Sequence, residues 1–90
     1  MSPAERIEQI RTSLQENLSP ERIDIIDDSA AHAGHAGNTG GGHFSVTIVA
    51  ETFGNKSTIE RHRMVYMALN HMMPAEIHAL SIKAMTPEEA

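Results

Sequence analysis

The chain has no cysteine among its 90 residues. It therefore cannot supply a thiolate ligand, and a metal site that needs sulfur would have to take it from a partner. The lack of cysteine is neutral on the redox compartment of the protein. What the chain has instead is six histidines, whose neutral imidazoles suit borderline metals.

Long apolar runs and a basic leader are lacking as well. No stretch approaches the ~20 apolar residues of a membrane span, and the first residues have neither a basic segment nor an apolar one. We therefore expect a soluble cytoplasmic protein with no membrane contact.

Basic residues are scarce: the chain has seven, compared with twelve acidic residues, and its net charge is −5 with neutral histidine. This sign disfavours a protein held mainly by phosphate contacts, so we expect at best weak, salt-sensitive binding to nucleic acid. Ninety residues form one small domain, residues 1–90, with little room for an enclosed active site. A monomeric binding module is a better fit than an enzyme.

Two helices are predicted from apolar spacing and end signals. The first runs from about Pro3 to Asn17, with Ser2 as its cap, and it stops at Ser19-Pro20. The second begins at a capping box formed by Ser57 and Glu60 and closes at Pro74. Its broad predicted face contains Ile59, His62, Val65, Tyr66, Leu69, Met72 and Met73.

Three strands are predicted from alternation, over residues 22–28, 44–50 and 77–84. The first two are expected to pair as neighbours, and the intervening helix favours a parallel crossover to the third. In the third strand His78, Leu80, Ile82 and Ala84 are predicted to point the same way. Thr86 is predicted to start a short third helix, with Glu89 at the boxed position.

A long Ala/Gly segment, residues 29–42, separates the first two strands and holds five of the six glycines. Loops of this length in compact domains are usually functional or disordered. The segment also contains two histidines three positions apart, His32 and His35. Pairs of this kind in loops are more often solvated than ligating. The Gly34-His35-Ala36-Gly37 spacing also fits a nucleic-acid loop motif, but it is weak in so glycine-rich a segment.

The sequence resembles the BolA-like protein family. The resemblance is carried by Arg61-His62-Arg63-Met64-Val65-Tyr66, Ile77-His78-Ala79-Leu80 and Thr86-Pro87-Glu88, together with His43-Phe44-Ser45-Val46 and the Phe53-Gly54 turn. It implies an α+β fold of the class II KH-like type. That fold has the order helix-strand-strand-helix-strand-helix, with helices covering one face of a three-stranded mixed sheet.

The chain departs from the usual family pattern at three places. Gly54 comes one position early in the turn, and Asn55 holds the usual glycine position, where it can adopt a left-handed backbone. The tryptophan that often follows Thr-Pro is absent. No cysteine occurs in the loop, so the chain resembles the histidine-loop subgroup.

The resemblance implies a partnership with monothiol glutaredoxins and a shared [2Fe–2S] cluster that also uses glutathione. It places a cluster ligand at His78 and a second at His32, with His35 a close alternative. Imidazoles replace cysteines on one iron of Rieske clusters, so such a set is chemically reasonable. The isolated chain is expected to hold no stable cluster. His43 and His71 are ordinary polar positions in this interpretation.

The remaining candidates have structural alternatives. His62 falls on the apolar side of the second helix and is predicted to be a hydrogen-bonded structural histidine. Arg61, Arg63, Lys56 and Lys83 are either solvated charges or a basic surface for a partner or nucleic acid. The leading function is therefore a cluster-sharing adaptor, and the alternative is a KH-like nucleic-acid-binding regulator. A hydrolytic metalloenzyme is disfavoured, because no carboxylate is placed with the histidines to act as a base.

Overall fold

Two helices and three strands make up the part of the chain that the computed structural model describes, residues 2–28, 42–73 and 75–90. In chain order they are α1 (Pro3–Leu18), β1 (Arg22–Asp27), β2 (Gly42–Val49), α2 (Thr58–Leu69) and β3 (Ile77–Met85). Short 3-10 turns at Glu51–Phe53 and Asn70–Met72 flank α2. No helix among these residues is long and apolar enough to cross a membrane.

The strands form one mixed sheet in the order β1-β2-β3. β1 is antiparallel to β2, and β2 is parallel to β3, so that Ile25, Val46 and Ile82 lie side by side across the sheet. The predicted three-stranded mixed sheet, with its parallel crossover through α2, is confirmed. β2 is the central strand, and its hydrogen-bonding groups are paired on both sides.

One face of β2 forms the centre of the core. Phe44, Val46 and Ile48 are almost completely buried there. The helices cover this face with Ile10, Leu14, Val65, Ala68 and Leu69. The alternation predicted for β1 and β2 is confirmed: β1 turns Ile23 and Ile25 toward the core. The opposite, open face of the sheet carries mostly polar side chains, together with Ile26, which is 60% exposed.

The start of α1 follows its sequence signals closely. Ser2 Oγ accepts a hydrogen bond from the Glu5 N–H at 3.2 Å, and the Glu5 carboxylate accepts one from the Ser2 N–H at 3.4 Å. This reciprocal pair is the predicted capping box. The helix extends one residue beyond the prediction, to Leu18, and Ser19 ends it in a left-handed conformation with φ 46°.

α2 begins as predicted, because Ser57 and Glu60 form a second capping box. Its buried face is narrower than predicted. Ile59 is 65% exposed and Tyr66 is 39% exposed. At ~100° of rotation per residue, both point ~100–120° away from the buried Val65. The prediction thus assigned to the buried face residues that lie at the exposed edges of the apolar stripe.

The end of α2 also differs from the prediction. The helix stops at Leu69, and the chain tightens into the 3-10 turn Asn70–Met72 before Met73 becomes extended, with φ −105° and ψ 141°. A residue that precedes proline is pushed out of the helical region, which accounts for the extended Met73. Pro74 itself lies outside the described residues.

The turn before α2 uses its asparagine as expected. Asn55 has φ 61°, a left-handed conformation, whereas Gly54 has φ −58°. Gly54 is instead favoured by space, since a Cβ at this position would come within 3.2 Å of the Glu51 carbonyl oxygen. The shift of the usual glycine by one place is therefore compatible with the turn.

The predicted third helix is absent from the described residues, which have only a turn at Pro87–Glu89. Its capping signal is nevertheless used. The Glu89 carboxylate accepts a hydrogen bond from the Thr86 N–H at 2.8 Å, and the Glu89 N–H donates to the Thr86 carbonyl at 3.0 Å. In the described residues the Thr86 signal thus closes a single turn rather than a helix.

Arg61 of α2 attaches this turn to the domain. Its guanidinium donates to both Glu89 carboxylate oxygens, at 2.6 and 3.1 Å, and to the Ala84 carbonyl at 3.2 Å. The hydrogen bonding by Arg61, followed by the hydrogen bond from the Thr86 N–H, lowers the pKa of Glu89 to about 2. The same pair raises the pKa of Arg61.

We expect Asn55→Ala to lower the free energy of unfolding by about 1 kcal/mol, because alanine pays the steric cost of a left-handed backbone. Asn55→Gly is the matched control and should show no such loss. Urea denaturation followed by circular dichroism would measure both. Equal losses in the two variants would contradict this account of the turn.

The Arg61–Glu89 pair predicts a pH dependence of stability. The folded pKa of Glu89, about 2, lies below its ordinary value of 4.5, so its contribution is present above pH 4.5 and is lost as the pH falls toward 2. The stability difference between the wild type and Glu89→Gln should therefore narrow across this window. Denaturation at several pH values would measure it, with Glu88→Gln, at a neighbouring exposed position, as the control.

Candidate functional site

His78 lies at an irregularity at the start of β3. Gly42 of β2 is level with Ile77, but the next residue, His43, is level with Ala79. His78 is thus the extra residue of a β-bulge, a feature that re-aims side chains and is frequent beside functional sites. Its side chain is exposed.

The bulge corrects the predicted direction of His78. Alternation from Leu80 and Ile82 placed His78 on the core side of β3. In the structure Ile77 occupies the core instead and is fully buried, while Leu80 packs against the core three residues later. One inserted residue reverses the alternation, and this is why His78 is exposed.

His43 is the neighbour of His78. It lies on β2 beside Phe44, whose side chain enters the core, so His43 belongs to the open face of the sheet. The two imidazole rings have centroids 5.3 Å apart and planes inclined by 52°. The structure thereby brings His78 together with a histidine to which the sequence assigned no role. The available signal was that each begins an apolar strand run, but only the strand pairing unites them.

Backbone hydrogen bonds fix this end of the sheet. The Gly42 N–H donates to the Glu76 carbonyl at 3.1 Å, and the Asp28 N–H donates to the His43 carbonyl at 2.7 Å. The Glu76 carboxylate also accepts from Arg6 Nε of α1 at 3.2 Å. The backbone carrying both histidines is therefore attached to the rest of the domain.

An open cavity of about 210 Å³ adjoins His43. Its lining includes the Asp28 carboxylate and the Ser81 residue of β3. The Ser45 hydroxyl donates a hydrogen bond to the Asp28 carboxylate. A carboxylate thus lies nearer to the histidines than the sequence suggested. Even so, the described residues contain no group of three or more His, Cys, Asp or Glu side chains placed to hold a metal ion.

The predicted loop ligands His32 and His35 lie outside the described residues. The residues that flank their segment are described, and Asp28 and Gly42 are both bonded at the His43 end of the sheet. His71 does not belong to this sheet end. Its Nε2 is hydrogen-bonded to the Ser13 hydroxyl of α1 at 3.2 Å.

Comparison with known proteins decides the family. The family model described as BolA-like protein matches residues 14–89. This chain belongs to the BolA-like family. The solved BolA domain of SufE1 from Arabidopsis thaliana is 38% identical, with complete coverage of both chains and a TM-score of 0.83.

Curated relatives of this BolA-like chain are longer. It is 40% identical to SufE-like protein 1, chloroplastic/mitochondrial, of Arabidopsis thaliana, covering 90% of this chain and 24% of that protein. It is also 40% identical to protein BOLA1, chloroplastic, of the same plant, covering 94% of this chain and 56% of that protein. The chain therefore spans between a quarter and about half of these relatives.

The predicted basic surface is not continuous. Arg61, with only 13% of its side chain exposed, is bonded to Glu89 and to backbone carbonyls, including that of Lys56. Arg63 is exposed on α2. Lys83 alternates with the core-packing Ile82 and Ala84, so it lies on the open face of the sheet, away from the helices. Lys83 therefore lies apart from Arg61, and a binding role for Arg61, Arg63, Lys56 and Lys83 stays a prediction.

His62 is half-buried on α2. Within the part of the chain that the structure describes, its ring has no hydrogen-bond partner, so the structural hydrogen bond expected from the sequence is not found there. A role for His62 in stability would have to come from packing of its ring.

We expect binding to a DNA duplex at ~0.15 M salt to be no tighter than ~10⁻⁴ M, because the chain is net negative and its cations are divided between two sides. Fluorescence anisotropy with labelled duplexes would measure it. Arg63→Glu and Lys83→Glu, tested separately, would show whether either side contributes. A submicromolar, sequence-selective complex would instead support the nucleic-acid-binding alternative.

Proposed function

We propose that this BolA-like domain is an adaptor that binds a monothiol glutaredoxin and shares a [2Fe–2S] cluster with it, in cluster trafficking or in iron and redox regulation. The observation that carries the proposal is the exposed His78, re-aimed by a bulge to lie beside a second imidazole. A ligand in this position is accessible to another protein. A structural histidine would more commonly be buried and hydrogen-bonded.

The donor chemistry supports a shared site. The chain has no thiolate, and this sheet end carries the exposed His78 and the half-buried His43. Imidazoles serve as ligands to one iron of Rieske-type clusters. His78 would supply one such ligand, and the family resemblance assigns a second to His32 or His35. The thiolates of glutaredoxin and glutathione would complete the set. The bound cluster would supply the redox and transfer chemistry.

The comparisons give limited support to an iron–sulfur role. A BolA domain occurs within a relative named SufE-like protein 1, which hints at such a role for that protein. The glutaredoxin partnership comes from the family resemblance and is part of the proposal. A cytoplasmic location is likewise part of the proposal and gains no support from the two plant relatives. Both are named for chloroplasts, and one of them is also named for mitochondria.

We propose binding rather than catalysis. The cavity beside His43 is open, and the Asp28 carboxylate in it is already hydrogen-bonded by Ser45. A general base needs a substrate held within hydrogen-bond reach. A cavity that opens to solvent is also accessible to a partner. The free chain should be a monomer without a stable cluster.

We call the visible spectrum of a [2Fe–2S] cluster ligated by both this chain and glutaredoxin the mixed-cluster spectrum. We expect His78→Ala to abolish it while leaving the fold intact, because the exposed imidazole is lost without removing core contacts. Purified chain would be mixed anaerobically with a monothiol glutaredoxin, glutathione, iron and sulfide. Visible absorption and circular dichroism would report the cluster environment. His71→Ala, an exposed histidine bonded to α1, is the matched control and should retain the spectrum.

An unchanged mixed-cluster spectrum for folded His78→Ala would refute the assignment of this ligand. Absence of any mixed spectrum with the wild-type chain would refute the shared cluster itself. Native mass spectrometry of the same mixture would show whether the two proteins associate with or without the cluster.

A further inference from the structure

The spacing of His43 and His78 suits two imidazoles on one metal ion. A metal–nitrogen distance of ~2.0 Å, a ring centroid ~1.1 Å beyond that nitrogen and a tetrahedral angle place two such centroids ~5 Å apart. The observed separation is 5.3 Å. In a shared site of this kind, one ring nitrogen of each imidazole would face a cation lying between the two rings.

Both side chains are carried by paired strands. His43 follows Gly42, which is hydrogen-bonded to Glu76, and His78 is held between the paired Ile77 and Ala79. A ligand on a fixed backbone has little conformational entropy to lose on binding. The paired strands therefore hold the backbone of both histidines in place before a cation binds.

The bulge supplies a second, independent observation. Without the inserted residue, regular alternation from Leu80 would direct His78 into the core, away from the open face that carries His43. The insertion interrupts the sheet ladder at this point. Its effect is to place the two imidazoles beside each other at an accessible sheet end.

We propose that His43 is the second imidazole ligand of this chain, in place of His32 or His35, and that the His43–His78 pair binds a divalent cation even without a partner. The cluster part of this inference rests on the proposed function. The cation part does not. The remaining coordination positions would be filled by water in the free chain and by thiolates in the complex.

Zn²⁺ alone is the probe for the free chain. Calorimetric titration of tag-free protein should show saturable binding that His43→Ala and His78→Ala each weaken by ~10-fold or more, because the second imidazole acts at the high effective concentration of a neighbouring group. The double variant His32→Ala/His35→Ala should bind as the wild type does. His71→Ala is the control for an unrelated exposed histidine.

Imidazole NMR signals would identify the ligands directly. The ring protons of His43 and His78 should shift together as Zn²⁺ is added, and those of His71 should not. If His43→Ala fails to fold, His43→Gln keeps a polar side chain of similar size without an imidazole donor and serves instead. Ring spacing of this kind also occurs in simple aromatic packing. In that case the variants would change stability and leave Zn²⁺ affinity unchanged, which would overturn the proposal.

The glutaredoxin mixture separates this inference from the proposed function. Loss of the mixed-cluster spectrum in His43→Ala, with retention in His32→Ala/His35→Ala, supports His43 as the ligand. The reverse pattern overturns His43 while leaving the shared cluster intact. If the wild-type chain forms no mixed cluster at all, the proposed function fails, and the Zn²⁺ titration alone decides whether the histidine pair binds metal.

Discussion

The parallel pairing of β2 with β3 is the constraint on which the rest of the structure depends. β2 contributes Phe44, Val46 and Ile48 to the core, and its pairing with β3 determines which residues of the C-terminal half face the helices. The shift at the beginning of this pairing reverses alternation in β3. Both the buried state of Ile77 and the exposed state of His78 follow from that single step.

The charged side chain of Arg61 has a structural role in this small domain. Arg61, part of the motif by which the family is recognised, closes the C-terminal turn through Glu89 and contacts the Ala84 carbonyl. Its guanidinium suits this role, because several donors lie in one plane and match a carboxylate. The same residue cannot also serve as a freely exposed contact. A charged motif residue is therefore weak support for nucleic-acid binding until its partners are known.

Local signals in the sequence predicted the local structure well. The structure confirms the two capping boxes at Ser2 and Ser57, the left-handed Asn55 and the strand alternation in β1 and β2. It also confirms the pairing of β1 with β2 and the parallel crossover to β3. Each depends on interactions between residues close in sequence or on the general preference for parallel crossovers. Near the end of the chain, the hydrogen bond predicted between Thr86 and Glu89 is present, but the helix predicted to follow it is not found.

The candidate site could be predicted only in part. His78 was singled out through family resemblance, but its direction and its neighbour depend on strand register, which alternation alone does not determine when a residue is inserted. His43 belongs to a different strand, and nothing near it in the sequence indicates that β3 will bring a second imidazole alongside. The predicted breadth of the buried α2 face was wrong for a related reason. The position of a helix on the sheet decides which residues at the edges of its apolar stripe are covered.

Size explains why such a site would be completed by another molecule. In a domain of 90 residues the covered face of the sheet forms the core, and few other residues remain to enclose a ligand. A metal-binding position at an open sheet end leaves part of the coordination sphere accessible, and a chain without thiolates cannot fill it with sulfur. Accessibility then becomes useful, because a partner can add its ligands without unfolding the domain. A histidine pair on paired strands needs no ordering of its own backbone in that step, so that part of the entropy cost is avoided.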